Sequence, residues 1–515
     1  MRGVLARVAT FAIDGLDPRH VWVEVDVRPG LPAFAVVGLA DAAVREARER
    51  VRAAILNSGF QFPLRRITAN LAPAHLPKVG PGFDLALALA VLVASDQVPR
   101  DVLGQWAVFG ELSLGGELRP GGGALAVAEG TRRAGLQGLI LAQERAEEAA
   151  LVEGIEVAGA RSLREVAELL QAPGPRRGGR PAPRPSPESE PVEGGTGPDL
   201  ADIRGHQVTI DALIVAAAGG HKLLLVGPPG TGKTMLARRL PSILPPLTRA
   251  EAIEVTRIQS VAGFLDGGGL AAHRPFRAPH HTIASSGLVG GGPAPSPGEA
   301  SLAHHGVLFL DELSEFARSS LEALRQPLED GRVAIVRGQH TCVFPTRFML
   351  VAATNPCPCG LFGVAERCSC SDADLARHRR RLSGPLLDRL DLLVRMTRPG
   401  SDELAARPYT SSATARKRVA AARALQERRL AGTGATCNSH MGSALVETHA
   451  AMTLTARRAL AAAYERSQLS ARGHHRILRV ARTAADLAGS ERIEAVHVHK
   501  AVTLRHDDAA GRAAA

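Results

Sequence analysis

The stretch "LLLVGPPGTGKTML", Leu223 to Leu236, restricts the fold of this chain more than any other. Its four leading apolar residues read as a strand buried on both faces, and its glycine-rich turn leads straight into a helix. Gly227, Gly230 and Gly232 let the backbone curl so that the N–H groups of Gly227, Gly230, Thr231 and Gly232 line a cradle for phosphate oxygens, while Pro228 and Pro229 supply rigidity and no donor. Lys233 then reaches the β- and γ-phosphates of ATP, and Thr234 offers a hydroxyl to Mg²⁺. A strand, loop and helix of this kind belong to a parallel sheet covered by helices, so the surrounding unit is α/β.

The rest of a nucleotide-hydrolysing site is legible downstream. In "GVLFLDEL" four apolar residues precede Asp311 and Glu312, at the carboxyl end of a strand, where α/β sheets present their ligands. Asp311 is placed to bind Mg²⁺, directly or through water, and Glu312 to orient the attacking water. Asn355 ends the strand "RFMLVAATN" and reads either as a contact to that water or the γ-phosphate, or as a turn residue before Pro356. Arg389, in "GPLLDRLDL", is a candidate arginine finger acting on a neighbouring subunit; a surface arginine in a basic stretch is the plainer alternative.

A chain of 515 residues is too long for one core. The segment 172–198, "APGPRRGGRPAPRPSPESEPVEGGTGP", is proline, glycine and charge with almost nothing apolar, and reads as an extended linker. Residues 1–171 mix an alternating strand ("HVWVEVDV") with helix-period segments ("DAAVREARERVRAAILNSG", "FDLALALAVLVAS"). Residues 199–400 alternate strands and helices around the phosphate loop, and 401–508 are helical and rich in Ala, Leu and Arg. That makes three folded units and one linker, without an internal repeat. No apolar run approaches the length of a membrane span, and the N-terminus lacks a signal peptide's apolar core, so a cytoplasmic location with reduced cysteines is the expectation.

Of the net charge of +11, nearly all lies between Ser371 and Asp508, where 24 Lys and Arg face 14 Asp and Glu. Such an excess fits a polyanion partner, nucleic acid first, or a solvated helical surface.

Taken together, "GPPGTGKT", "FRAPHHTIASSGLVGGG", "PGEASLAHHGVLFLDEL", "LEALRQPLEDG", "AATNPCPCG" and "GPLLDRLDL" resemble the magnesium-chelatase-like AAA+ ATPases, specifically the ComM/YifB family, over nearly the whole chain. The resemblance implies an AAA+ P-loop core with a helical lid of the magnesium-chelatase C-terminal type, assembled as a hexameric ring with ATP at subunit interfaces. It gives Lys233, Thr234, Asp311, Glu312 and Asn355 the Walker and sensor-1 roles, Arg389 the finger and Arg472 the sensor-2 role. It implies a DNA helicase that drives branch migration of recombination intermediates during natural transformation, with DNA and recombination proteins as partners. The alternative is a chelatase-type motor that remodels a protein partner; such motors are expected to resemble the chain only after the linker.

Residues 1–171 resemble the α+β Lon-protease (S5-like) catalytic domain, through "NLAPAHLPKVGPGFDLALALA" and "FGELSLGGELRPGGGALAVAEGTRRAG". Where that family has its nucleophilic serine this chain has Gly82, and where it has its lysine this chain has Leu125. Without nucleophile or amine, a Ser–Lys peptidase mechanism is impossible. The unit is left with DNA contact, ring assembly or a structural role.

Two segments read as pore loops gripping DNA: 274–298, with Arg274, Arg277, His280 and His281, and the hairpin 329–345, with Arg337 at its tip. Adjacent histidines on a strand point to opposite faces, which argues against a metal at His280 and His281. Aromatic residues are only 3% of the chain, so backbone-phosphate contact is favoured over base stacking. Finally, Cys357, Cys359, Cys368 and Cys370 form C-x-C-x8-C-x-C, which four thiolates around Zn²⁺ would explain, free structural thiols being the other reading. Cys342 and Cys437 stand apart from them.

Overall fold

The computed structural model describes residues 4–38, 42–76, 78, 80–100, 103–171, 198–265, 269–292, 295–337, 340–362, 367–381, 384–467 and 471–505. The expected linker falls outside the described residues apart from Pro198, as do Gly338 and Gln339 in the hairpin and the last three residues of 401–508.

In the N-terminal unit the strands are β1 (Val4–Asp14), β2 (Asp17–Arg28), β3 (Ala33–Val37), β4 (Arg66–Ala72), β5 (Trp106–Val108), the short pair β6 (Glu111–Leu112) and β7 (Leu118–Arg119), β8 (Gly138–Ala142) and β9 (Glu156–Ala160). Seven of them form one mixed sheet in the order β3-β4-β2-β1-β5-β8-β9. The alternation read in "HVWVEVDV" is the pleat of β2: Val21, Val23, Val25 and Val27 are buried and the residues between them are not. The helix Asp84–Ala94 is buried along its whole length, as an all-apolar sequence requires. Its one charge, Asp84, is met by Arg50 at 2.8 and 3.1 Å.

After the linker come β10 (Leu223–Val226), β11 (Phe276–Arg277), β12 (Gly290–Gly291), β13 (Ser296–Pro297), β14 (Val307–Leu310), β15 (Arg332–Arg337), β16 (His340–Pro345), β17 (Met349–Thr354) and β18 (Leu392–Arg395). Five make an all-parallel sheet in the order β11-β14-β17-β10-β18. Strands adjacent in space are thus distant in sequence, joined by crossovers that place helices over both faces. The result is the α/β fold expected.

The C-terminal helices do not form a separate core. The helix Gln207–Gly219 is apolar on all sides, so it must be enclosed. One face meets the sheet, and the others meet the helices Ser412–Leu430 and Ala471–Leu487, so that Ile210, Leu213, Leu223, Val419 and Ile477 share one cluster. The helical segment read from the sequence as a third unit is thus continuous in its packing with the core built on the parallel sheet.

The N-terminal unit docks on the ATPase core along the helix Arg249–Ala262. Gly123 N–H donates to Ser260 at its carbonyl (3.2 Å) and hydroxyl (2.9 Å), and the Ser260 hydroxyl donates to Glu148. Arg257 reaches Leu16 O (3.1 Å), Asp17 (3.3 Å) and Glu129 (3.4 Å). Apolar contacts extend the joint, with Leu16 packed among Ile258, Leu302, Val333 and Phe344.

Candidate functional site

The phosphate loop follows β10 at the carboxyl end of the sheet. Gly230 and Gly232 sit at φ +76° and +83°, a left-handed conformation that side-chain-bearing residues rarely adopt. Gly227 is required for a different reason: a Cβ there would stand 2.6 Å from Met396 O. The loop is braced internally by the Thr231 hydroxyl, which donates to Pro228 O at 2.9 Å.

Five expected residues converge here from three strand ends. The Lys233 ammonium donates to Gly227 O (2.6 Å), Pro228 O (2.9 Å) and Asn355 Oδ1 (3.1 Å). Burial lowers its pKa, opposed by Asp311 and Glu312. The Thr234 hydroxyl donates to Asp311 Oδ2 at 2.5 Å, which puts a hydroxyl and a carboxylate together as hard oxygen donors suited to Mg²⁺. Glu312, at φ +52°, turns its carboxylate to His281, whose Nδ1 lies 3.2 Å away. Asn355 O accepts from His378 Nε2 at 3.0 Å. The contacts of His281 and His378 were missed from sequence, although both lie in segments already singled out.

Arg389 and Arg472 are not in this group. Arg389 precedes β18, and Leu392 N–H donates to the carbonyl of Lys222, the residue before β10. They therefore belong to the amino ends of strands whose carboxyl ends carry the phosphate loop, a strand length of roughly 13 Å away. There a cavity of about 320 Å³ is lined by Lys222, Glu329, Arg389, Arg472, Arg476 and Arg479, among others. Arg389 is ion-paired with Glu329, and Arg472 is exposed. Burial, reinforced by Arg505, lowers Arg476 to about 10. Among the described residues, Arg389 and Arg472 line this cavity and are not among the groups gathered at the phosphate loop.

The counterpart of the peptidase centre has been filled. A Cβ on Gly82 would meet the Phe109 ring at 2.6 Å, so an aromatic ring occupies the space a nucleophilic side chain would need. Leu125 is buried, and its N–H donates to Glu148 Oε1 at 2.9 Å, the carboxylate that also receives Ser260. Lys78 is buried too, its amine turned to Pro73 O.

The segment 274–298 departs from the reading as a DNA-gripping loop. Arg274 donates to Pro245 O (2.6 Å) and His305 O (2.7 Å) and pairs with Glu251 (3.0 Å), while Arg277 forms a two-pronged pair with Glu299 at 2.6 and 2.7 Å. Half-buried guanidiniums need such partners, and these two are committed to holding the segment in place. His280 and His281 lie beyond the end of β11, so strand alternation does not separate them; their rings are 4.1 Å apart. The hairpin is present as β15 and β16, with Arg337 paired to His340 in register. Its inner face packs on the N-terminal unit, where the Cys342 thiol donates to Asp14 at 3.1 Å. Burial, then Asp14, push that thiol up to about 12.

Sulfur separations of 3.3 Å (Cys357–Cys359), 3.9 Å (Cys357–Cys368) and 3.6 Å (Cys359–Cys368) bring the cysteines together, and all four lie within 4.8 Å of one another. Four thiolates each 2.3 Å from one zinc stand about 3.8 Å apart, so the spacing fits a single tetrahedral ion. A multi-iron cluster, which interposes iron and sulfide between cysteines, would hold them farther apart.

Glu254, His304 and His305 form a second compact group. His304 Nδ1 accepts from Arg347 N–H at 2.9 Å, so the ring proton sits on Nε2, the nitrogen 2.8 Å from Glu254. A protonated nitrogen cannot ligate a metal, and the group is a hydrogen-bonded tie between helix and sheet.

The family model described as magnesium chelatase, subunit ChlI, matches residues 199–404, and the ChlI C-terminal model matches 409–505. A model described as subunit ChlI of Mg-chelatase matches residues 23–145, so chelatase-like similarity is not confined to the region after the linker. Competence protein ComM of Haemophilus influenzae is 41% identical over 507 residues, 97% of each chain. The uncharacterized protein YifB of Salmonella typhimurium is 41% identical over 509 residues, 98% of this chain and 97% of that one. Lon protease 2 of Thermus thermophilus is 34% identical over 128 residues, 24% of this chain and 16% of the protease.

Proposed function

This chain belongs to the ComM/YifB family of magnesium-chelatase-like AAA+ proteins, and from that premise we propose that it is an ATP-driven DNA helicase promoting branch migration of recombination intermediates. The observation that carries the reading is 41% identity, over 97% of both chains, with a protein named for competence, the uptake of DNA. The localised basic excess and the shortage of aromatic residues fit a partner gripped by its phosphates without sequence preference. The working form is a homo-hexamer. Its geometric support is that Arg389 and Arg472 line a cavity at the sheet end opposite their own phosphate loop.

In this mechanism Lys233 leaves the carbonyls of Gly227 and Pro228 for the β- and γ-phosphates. Thr234 and Asp311 would hold Mg²⁺, which would supply charge neutralisation on the phosphates when bound. Glu312 orients water for in-line attack, and Asn355 senses the γ-phosphate through the side chain that now contacts Lys233. Arg389 and Arg472 stabilise transition-state charge on the neighbour's nucleotide. The cofactors are ATP with Mg²⁺, and one zinc ion on Cys357, Cys359, Cys368 and Cys370.

A labelled four-way DNA junction tests this directly. Wild-type protein with ATP and Mg²⁺ is expected to convert it to duplex products, and K233A is expected not to. A junction left intact by wild-type protein under ATP turnover would remove the helicase reading and favour the chelatase-type motor acting on a protein, which the ChlI models support.

A further inference from the structure

The cysteine cluster does not sit apart from the nucleotide site. Gly360, between the second cysteine and Leu361, packs directly on the phosphate loop: a Cβ there would stand 2.7 Å from Pro229 Cδ and 3.9 Å from Asn355 Cγ. Only glycine permits so close an approach, and Gly360 also takes φ +79°, a conformation other residues rarely adopt. Its N–H donates to Cys357 O at 2.9 Å, and the N–H of Phe362 donates to the Cys357 sulfur at 3.2 Å. The turn that presses on Pro229 is thus built around Cys357, which is fully buried.

Both ends of the segment are tied to the same place. It begins at Asn355, whose side chain contacts Lys233, and it returns through His378, which donates to the Asn355 carbonyl at 3.0 Å. From the other side Arg398 donates to Pro229 O at 3.4 Å. Between these ties the chain from 356 to 371 contains no helix or strand among its described residues, so the cysteines are what can hold its shape.

We propose that the four cysteines, closed on one zinc ion, form a strut that sets the position of Pro229 and thereby the nucleotide affinity of the phosphate loop in the same chain. The proposal rests on the reading of residues 227–234 as an ATP site. Loss of the ion releases the turn around Cys357, Gly360 withdraws from Pro229, and the backbone cradle is no longer held ready for phosphate. The preorganisation lost in this way is of the kind that supporting residues around a site supply, commonly worth tenfold or more.

The test uses the full-length protein and two readouts other than turnover: zinc per chain by elemental analysis, and affinity for a fluorescent ADP analogue. Wild-type protein is expected to carry one zinc per chain. C359S/C368S is expected to lose it and to bind the ADP analogue about tenfold more weakly, with far-UV circular dichroism unchanged. G360A keeps all four cysteines, so it is expected to retain zinc and still bind nucleotide about tenfold more weakly, which a purely structural clip would not produce. Zinc-free wild-type protein, or unchanged affinity in both variants, overturns the proposal. Wild-type protein that carries zinc yet binds no ADP analogue removes the ATP reading, and this proposal with it.

Discussion

The phosphate loop and the Lon-like region around Gly82 and Leu125 put their polar groups to opposite uses. At the first, the polar side chains that converge on the loop are satisfied internally: Lys233 on loop carbonyls, Thr234 on Asp311, Glu312 on His281. At the second, nucleophile and amine are gone, a ring fills the cavity, and the surrounding backbone has become a joint. Leu125 N–H and Ser260 share one carboxylate, Glu148, so the place of the lost lysine now helps fasten the N-terminal unit to the ATPase helix Arg249–Ala262.

The sharpest way to break the comparison is to disable the live site. K233A is expected to lower ATP turnover by about a hundredfold or more, measured by phosphate release, because Lys233 is the cation seated inside the loop, on the carbonyls of Gly227 and Pro228. Restoring the dead site should fail: G82S/L125K is expected to show no peptidase activity on casein. It should also lose about 1–3 kcal/mol of stability in urea unfolding, since the new side chains are forced against Phe109 and a packed core. Peptide cleavage by that variant would show that the cleft is intact.

A smaller effect tests the joint itself. S260A removes the hydroxyl shared by Gly123 and Glu148, leaving a buried carboxylate short of one donor, and is expected to cost about 1–3 kcal/mol of unfolding free energy. A variant with unaltered unfolding would mean that the two units are joined by other contacts. The smallest effect is on pH dependence. Hydrogen bonding from His304, against desolvation, holds the Glu254 carboxyl at about 2, and burial lowers His305. Both folded values lie below the ordinary ones, so both groups contribute stability at neutral pH that is lost on acidification, through the His range first and then from about 4.5 toward 2. E254Q is expected to flatten the acid limb of a melting-temperature profile between pH 6 and 3, by roughly a few degrees.

What could be read from the sequence follows how local each feature is. The phosphate loop, Asp311-Glu312 and Asn355 each sit at a strand end within a short motif, and strand patterning alone puts them at carboxyl ends. Which end of the sheet Arg389 faces is decided by the crossover order β11-β14-β17-β10-β18, and no local pattern encodes that. Arg274 and Arg277 looked free because their partners, Glu251 and Glu299, are separated from them by 23 and 22 residues. Gly82 and Leu125 pointed to the absence of peptidase chemistry, but that the Phe109 ring, which opens the Leu125 segment, lies against Gly82 is visible only in three dimensions. Cysteine spacing pointed to a metal, whereas the contact of Gly360 with Pro229 joins segments far apart in the chain and is visible only in three dimensions.

If the phosphate-loop site drives work on DNA, ATP turnover measured with and without a four-way junction will show it. The expected result is stimulation by the junction at low salt that declines as salt rises, with no response in K233A. Turnover unaffected by junction, single-stranded or duplex DNA at every salt concentration would contradict it.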